Sequence, residues 1–164
     1  MHTTVTLRDQ IMAGVLAGLV AGVVMELFFF VTLIRGGDPV AELLGSLIFI
    51  STVLLGPAVA RTPGAVPLGI VLHFTVAVGW ALGYVYLARS QPQLVRLPWI
   101  SGACYGIVVY VFMQIVLLTA GQYHRPASAR LLEIGLVAHI VFYGMPVALV
   151  VSRMLRSGSG TATA

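Results

Sequence analysis

The sequence has very little charge, a single cysteine and no lysine. Charged residues make up 9% of its 164 residues, whereas soluble domains contain roughly 25%, so the chain cannot cover a water-facing surface. One cysteine excludes a disulfide scaffold. A net charge of +4, carried by nine arginines, is too sparse for a nucleic-acid-binding face. We therefore expect no nucleic-acid partner.

Catalytic motifs are also missing from the sequence. It has no Ser-His-Asp arrangement, no phosphate-binding glycine loop, no C-x-x-C and no H-E-x-x-H spacing. We predict no catalytic residues, no metal centre and no enzymatic chemistry for this chain.

Long hydrophobic runs are what the sequence does contain. Hydrophobic residues make up 59% of the chain and its mean hydropathy is +1.02, which predicts an all-α integral membrane protein. Because a bilayer core is ~30 Å thick, each span needs about 20 residues. Five apolar stretches, called segments one to five, run from Ile11 to Ile34, Val40 to Ala60, Val66 to Leu87, Pro98 to Ala120 and Leu131 to Leu155.

Segment two is shorter than the others. Asp38 and Pro39 form a helix-start pair, and Gly56-Pro57 interrupts the helix after about 16 residues, or ~24 Å. Proline is tolerated inside membrane helices, so length alone does not decide whether this segment crosses.

An internal repeat favours four spans. Segments one and four align without a gap, and so do segments three and five, where Leu68 to Phe74 matches Ile134 to Ile140. The offset is 88 residues for the first pair and 66 for the second, so segment two is extra. The aligned residues are Gly14, Gly18, Leu19, Val20, Val23, Met25 and Glu26 against Gly102, Gly106, Ile107, Val108, Val111, Met113 and Gln114.

The repeat predicts one transmembrane domain over residues 1–156, followed by a flexible tail at 157–164. Repeat one covers 8–89 with 40–60 inserted, and repeat two covers 98–156. The fold is then a four-helix transmembrane bundle of two parallel helical hairpins. Segment two is an additional re-entrant or interfacial helix, and five spanning helices are the alternative.

Polar groups inside the spans are the candidate functional residues, because such groups are costly in lipid. Glu26, His73, Gln114 and His139 fall at one depth in the four-span arrangement. The simplest interpretation of this intramembrane polar layer is that its members hydrogen-bond one another and hold the helices in register.

The same layer has two functional alternatives. One is a path for protons or small solutes, because histidine titrates near neutrality and membrane carboxylates act as relays. The other is a haem b held by His73 and His139, since bundle cores commonly hold cofactors. A divalent-metal site of both histidines with Glu26 is the least supported, because no metal-binding spacing is present.

Glycines at helical spacing predict close helix contacts, because removing side chains lets helix backbones approach in lipid. A homodimer through one such glycine stripe is the minor alternative. These packing glycines are Gly14, Gly18, Gly22, Gly79, Gly83, Gly102 and Gly106.

Arginine counts favour cytoplasmic termini by five to four. The side of the termini has Arg8, Arg89, Arg96, Arg153 and Arg156, and the other side has Arg35, Arg61, Arg125 and Arg130. Tyr84, Tyr86 and Trp99 suit an aromatic belt on the side of the termini. Pro146 should bend segment five, because it removes one backbone hydrogen bond.

The glycine pattern G-x-x-x-G-[LI]-V with a downstream Met and polar residue, together with Leu72-His73-Phe74 followed by Gly79, Gly83 and Tyr84, resembles small bacterial inner-membrane proteins of the YagU-like type. The resemblance implies a multi-span inner-membrane protein, a link to acid tolerance and no assigned catalytic residues.

We therefore expect an inner-membrane accessory or stress-related factor without enzymatic chemistry. Its partners would be the lipid bilayer and a larger membrane complex or a second copy, and it would need no cofactor. Proton or small-solute transport is the alternative, followed by a membrane cytochrome with two histidine ligands.

Overall fold

A computed structural model describes residues 6–33, 38–121 and 129–157 of the chain. Within these ranges the protein is helical with short connections and has no strand, as predicted. Ser157 ends the last helix, whereas the remainder of the predicted tail, 158–164, lies outside the described residues.

The described ranges contain seven α-helices, one 3₁₀ turn at Pro57–Arg61 and one π-helical segment. The first five are α1 Leu7–Leu33, α2 Pro39–Leu55, α3 Ala65–Ser90, α4 Pro92–Arg96 and α5 Pro98–Thr119. The last long helix consists of α6 Ala129–Val137, the π segment Ala138–Gly144 and α7 Met145–Ser157.

Four helices in the described part of the chain are long and apolar enough to cross a membrane. They are Leu7–Thr32, Ala65–Ser90, Pro98–Thr119 and Leu132–Arg156. With 22 to 26 residues each, they reach about 33 to 39 Å, which exceeds the ~30 Å of a bilayer core. The predicted all-α fold with four such helices is therefore confirmed.

The short helix α2 begins and ends where the sequence predicts. The Asp38 carboxylate accepts hydrogen bonds from the backbone N–H groups of Val40 and Ala41, at 2.9 and 3.4 Å, which caps the helix. Gly56 ends it with φ of +91°, a backbone conformation that favours glycine. With 17 residues, α2 falls below the length of the four long helices.

Helix α2 packs directly on α3. A Cβ added at Gly69 of α3 would overlap the backbone carbonyl of Leu47 in α2, so only glycine permits this approach. Leu47 is itself buried. The contact fixes α2 beside α3 near the start of the latter.

Glycines also form the closest contacts between the long helices. A Cβ on Gly18 of α1 would lie 2.5 Å from the Cα of Val78 in α3. Gly106 of α5 meets the π segment in the same way, against the backbone of His139 and Ile140. Gly14 and Gly22 also face α3, and Gly102 faces Gly144 and Met145.

The second glycine pair of α3 behaves differently. A Cβ on Gly83 would come 3.3 Å from the hydroxyl of Tyr105, whereas one on Gly79 would meet nothing within 4 Å. The helix contact predicted at Gly79 is therefore absent from the part of the chain that the structure describes.

A π-helical segment precedes Pro146, at which a bend is predicted. The N–H of Met145 donates to the carbonyl of Ile140, five residues back instead of four. Because Pro146 has no N–H to donate, the helix adjusts its hydrogen bonding just before it. His139 lies within this irregular stretch.

Tyr84 corrects the predicted aromatic belt. Its side chain is fully buried in the core, whereas Tyr86 is 70% exposed and Trp99 is 62% exposed. The assignment of Tyr84 to the belt is wrong, because its hydroxyl has protein partners: it donates to the carbonyl of Leu94 and shares a hydrogen bond with Ser101 Oγ.

Candidate functional site

Glu26 and His73 meet at the interface between α1 and α3. Oε1 of Glu26 lies 3.4 Å from Nδ1 of His73, which is within ion-pair distance. The Glu26 side chain is 18% exposed and the His73 side chain 10%. Two of the four residues of the predicted polar layer are therefore neighbours in the interior of the bundle.

Gly22 makes the pair possible. It lies one helical turn before Glu26, on the same face of α1, and its carbonyl oxygen is 3.3 Å from Nε2 of His73. A Cβ at Gly22 would come 3.0 Å from the Phe74 ring and 3.3 Å from Nε2 of His73. The missing side chain leaves room for the imidazole to reach the backbone of α1.

Both ring nitrogens of His73 thus face oxygen atoms of α1. Since a carbonyl oxygen only accepts, Nε2 carries a proton and donates to Gly22. When the pair shares a second proton, that proton lies on Nδ1, beside a carboxylate, or on Glu26, as a carboxylic acid beside a neutral imidazole. Both arrangements have zero net charge, which limits the cost of burying the pair in an apolar bundle.

The pair lies on the wall of a groove between α1, α2 and α3. The groove has a volume of about 440 Å³ and an almost entirely apolar lining. Its lining residues are Val23, Glu26, Leu27, Phe30, Leu43, Leu47, Ile70, His73 and Phe74.

One oxygen of the pair has no partner. Oε2 of Glu26 is buried and receives no hydrogen bond among the described residues. An unsatisfied buried acceptor costs about 1–3 kcal/mol, so this atom calls for an explanation. The site has a free acceptor beside an apolar groove and is therefore suited to a hydrogen-bond donor.

The other two predicted layer residues have different surroundings. Nδ1 of His139 lies 2.7 Å from the carbonyl of Gly135 in its own helix, and the His139 ring meets Tyr110 edge-on at 5.4 Å. Gln114 is half-buried on α5 and, within the described residues, makes no hydrogen bond to Glu26, His73 or His139. The structure thus joins two members of the predicted layer and not all four.

His73 and His139 are also the two candidate haem ligands. His73 uses both ring nitrogens on α1, and His139 uses Nδ1 on its own helix. Among contacts within the described residues, Nε2 of His139 is the one nitrogen of the two rings that faces no oxygen atom in this way. Across residues 6–33, 38–121 and 129–157, no three His, Cys, Asp or Glu side chains converge as a metal site would require.

Comparison of the chain with protein-family models, with curated proteins and with solved structures finds no match.

A set of hydrogen-bonded tyrosine hydroxyls, distributed from the middle of α3 to the α3–α4 end of the bundle, was not predicted from the sequence. Tyr105 donates to the carbonyl of Trp80 at 2.5 Å, and Tyr143 donates to the carbonyl of Ala77 at 2.6 Å. Tyr84 and Ser101 share the carbonyl of Leu94. These bonds tie α3 to its neighbours through backbone oxygens, and they give each of the three tyrosine hydroxyls an acceptor.

The sequence holds a weak signal for these tyrosines. Tyr105 and Tyr143 lie within apolar spans instead of at their edges, where a belt tyrosine would keep its hydroxyl in the headgroup region. The backbone carbonyl that accepts each hydroxyl cannot be read from residue types. Tertiary packing alone reveals the partners.

Proposed function

We propose that this protein is a small multi-span accessory factor of the bacterial inner membrane, with no enzymatic chemistry of its own. The single observation that carries the proposal is the Glu26–His73 pair, which joins α1 to α3 beside an apolar groove. The polar atoms of the pair have partners within the described residues, except for Oε2 of Glu26. Binding requires a stable surface of defined shape inside the bilayer. The α1–α3 interface and the groove beside it provide such a surface.

The close packing of the bundle supports binding over bulk transport. Helix backbones touch through Gly14, Gly18, Gly102 and Gly106, and the core is filled by small residues and by tyrosines bonded to carbonyls. Such contacts fix the long helices against one another. A rigid bundle with one polar pair is typical of a scaffold or binding protein.

An ancestral duplication is part of the proposal, and equivalent contacts in the two halves support it. Gly14 faces Leu82 in the first half, while Gly102 faces Ala148 in the second. Each second-half glycine is 88 residues after its counterpart, and Ala148 is 66 residues after Leu82, the two offsets of the sequence repeat.

Two further pairs of contacts have the same offsets of 88 and 66 residues. Gly18 faces Val78, and Gly106 faces Gly144. His73 lies against Gly22, and His139 lies against Tyr110. The two hairpins would then share one register, with α2 inserted in the first hairpin alone.

The accessory role predicts a stable association with a larger membrane complex. The test is native electrophoresis of membranes solubilised in mild detergent, with the protein followed through a tag. Migration well above the mass of the 17.4 kDa chain and its detergent, together with identified partner subunits, supports the role. Migration as a single copy contradicts it, and migration as a pair of copies favours the homodimer alternative.

Proton handling is the second candidate, and the unpartnered Oε2 of Glu26 favours it. A carboxylate and an imidazole that exchange a proton form the simplest relay within a membrane. The test is pH-dependent flux in proteoliposomes. Glu26→Gln should abolish such a flux, whereas Gln114→Leu at the equivalent position should leave it in place. An unchanged flux in Glu26→Gln would end this candidate.

The inner-membrane location and cytoplasmic termini belong to the same proposal. They are supported by the arginine distribution and by four helices of spanning length. The resemblance to YagU-like inner-membrane proteins stays a prediction.

A further inference from the structure

We propose that the groove between α1, α2 and α3 binds an uncharged, membrane-soluble molecule that carries a single hydroxyl donor, such as an alkylphenol. The hydroxyl would donate to the carboxylate of Glu26, and the apolar body would fill the groove. This assignment rests on the binding role proposed above and names the chemistry of the ligand.

The walls of the groove require an apolar ligand body. Its polar groups belong to Glu26 and His73 alone, and aliphatic side chains with Phe30 and Phe74 form the remainder. Its volume of about 440 Å³ falls among small-molecule sites, which measure roughly 300–1,000 Å³.

The groove opens toward the lipid. Val23, Leu27 and Ile70 line it and are 46%, 57% and 41% exposed on the flanks of α1 and α3. In a bilayer these flanks contact lipid chains. A ligand would therefore enter sideways from the membrane, which requires that it dissolve there.

The hydrogen-bonding state of the pair requires a donor on the ligand. His73 already directs both ring nitrogens at oxygen atoms, while Oε2 of Glu26 lacks a donor. Glu26 lines the groove while its Oε2 is buried, and the terminal torsion of a glutamate side chain is broad. A small rotation of the carboxylate brings this acceptor to a hydroxyl in the groove.

The charge of the pair favours a neutral donor over a cation. With its shared proton the pair has no net charge, so a neutral hydroxyl adds none. An ammonium would add one positive charge to an apolar site, or would have to expel the proton of the pair first. We therefore expect uncharged hydroxyl compounds to bind more tightly than amines.

The second half of the bundle lacks this site, which supplies a matched control. Tyr110 and Gln114 occupy the positions equivalent to Gly22 and Glu26, and His139 binds its own helix. Only nine residues separate Thr119 from Ala129 in the sequence, fewer than the 17 residues of α2, so the second half has no room for a counterpart of α2. Val111, equivalent to Val23, is 51% exposed on α5.

The test is equilibrium binding of three radiolabelled probes to the full chain in lipid nanodiscs, with partitioning into empty nanodiscs subtracted. The probes are 4-pentylphenol, pentylbenzene, which lacks the donor, and pentylammonium. We expect 4-pentylphenol to bind about tenfold more tightly than pentylbenzene, as a hydrogen bond to a carboxylate would provide. Glu26→Leu should remove this preference.

A second pair of variants keeps the test decisive if Glu26→Leu fails to fold. Val23→Trp fills the groove without altering the polar pair and should abolish binding of 4-pentylphenol. Val111→Trp should leave it unchanged. Equal affinity for 4-pentylphenol and pentylbenzene, tighter binding of pentylammonium, or full binding to Val23→Trp would each overturn the assignment.

The outcome of this binding experiment does not depend on whether the accessory role is correct. It uses the isolated protein, so a missing partner complex does not affect its result. If 4-pentylphenol does not bind while native electrophoresis still shows a larger complex, the ligand assignment is lost and the accessory role stands.

Discussion

The hydroxyl of Tyr143 donates a hydrogen bond of 2.6 Å to the backbone carbonyl of Ala77, and the two residues are 66 positions apart. That separation is the offset that aligns His73 with His139. The hydrogen bond therefore joins equivalent positions of the two aligned segments, on α3 and on the last helix.

The Tyr143 bond should contribute measurably to stability. Tyr143→Phe removes its hydroxyl and leaves the Ala77 carbonyl without this donor, so we expect a loss of about 0.6–1.7 kcal/mol in the free energy of unfolding. The measurement is an SDS-titration unfolding curve in mixed micelles. Tyr86→Phe is the control, because Tyr86 is 70% exposed. Equal stability of Tyr143→Phe and the unchanged protein would contradict the importance of this bond.

Glycine contacts should limit the size of residue that the α1–α3 interface accepts. Gly18→Leu would drive a side chain into the backbone of Val78, and overpacking of this kind costs about 1–3 kcal/mol. Gly79→Leu is the matched control, since an added Cβ there meets nothing within 4 Å. The same unfolding curves compare the two variants. Equal losses in both variants would contradict a specific role of the close approach between Gly18 and Val78, because leucine favours the helix more than glycine at both positions.

Labelling of single cysteines should determine the number of crossings. In a Cys104→Ser background, Thr6→Cys and Gln93→Cys should react with an impermeant reagent from the same side of the membrane, and Gly64→Cys from the opposite side. Four crossings require that pattern, because α2 then returns to the side from which it came. Reaction of Thr6→Cys and Gly64→Cys from one side would show that α2 crosses.

The histidine geometry predicts a colourless protein. Ligation of haem by both His73 and His139 would replace the contacts of His73 with Glu26 or Gly22. We expect no Soret absorption in the purified protein, even after expression with added haem precursor. A Soret band that His73→Ala removes would establish the cytochrome alternative.

The long helices and the candidate pair could be predicted from the sequence because both follow from simple regularities. Apolar runs of spanning length determine helices. Counting 1.5 Å per residue from the ends of two antiparallel helices places Glu26 and His73 at similar depth. Their contact in the structure agrees with that estimate.

The rotation of each helix about its own axis, which decides which residues face the core, could not be predicted in the same way. Every face of these helices is apolar, so the pattern does not distinguish the core from the lipid. That is why Tyr84 was assigned to the belt although it is buried, and why Gly79 was grouped with the packing glycines although it faces open space. The turn of His139 toward Gly135 likewise depends on Tyr110 and on the π segment.

Nitrogen-15 NMR of the histidine side chains in lipid bilayers tests the Glu26–His73 pair most directly. Glu26→Gln removes the carboxylate 3.4 Å from Nδ1 of His73 and should shift the His73 Nδ1 resonance while that of His139 stays in place. A His73 Nδ1 resonance that does not move, or a His139 resonance that moves equally, would contradict the pairing and the site built on it.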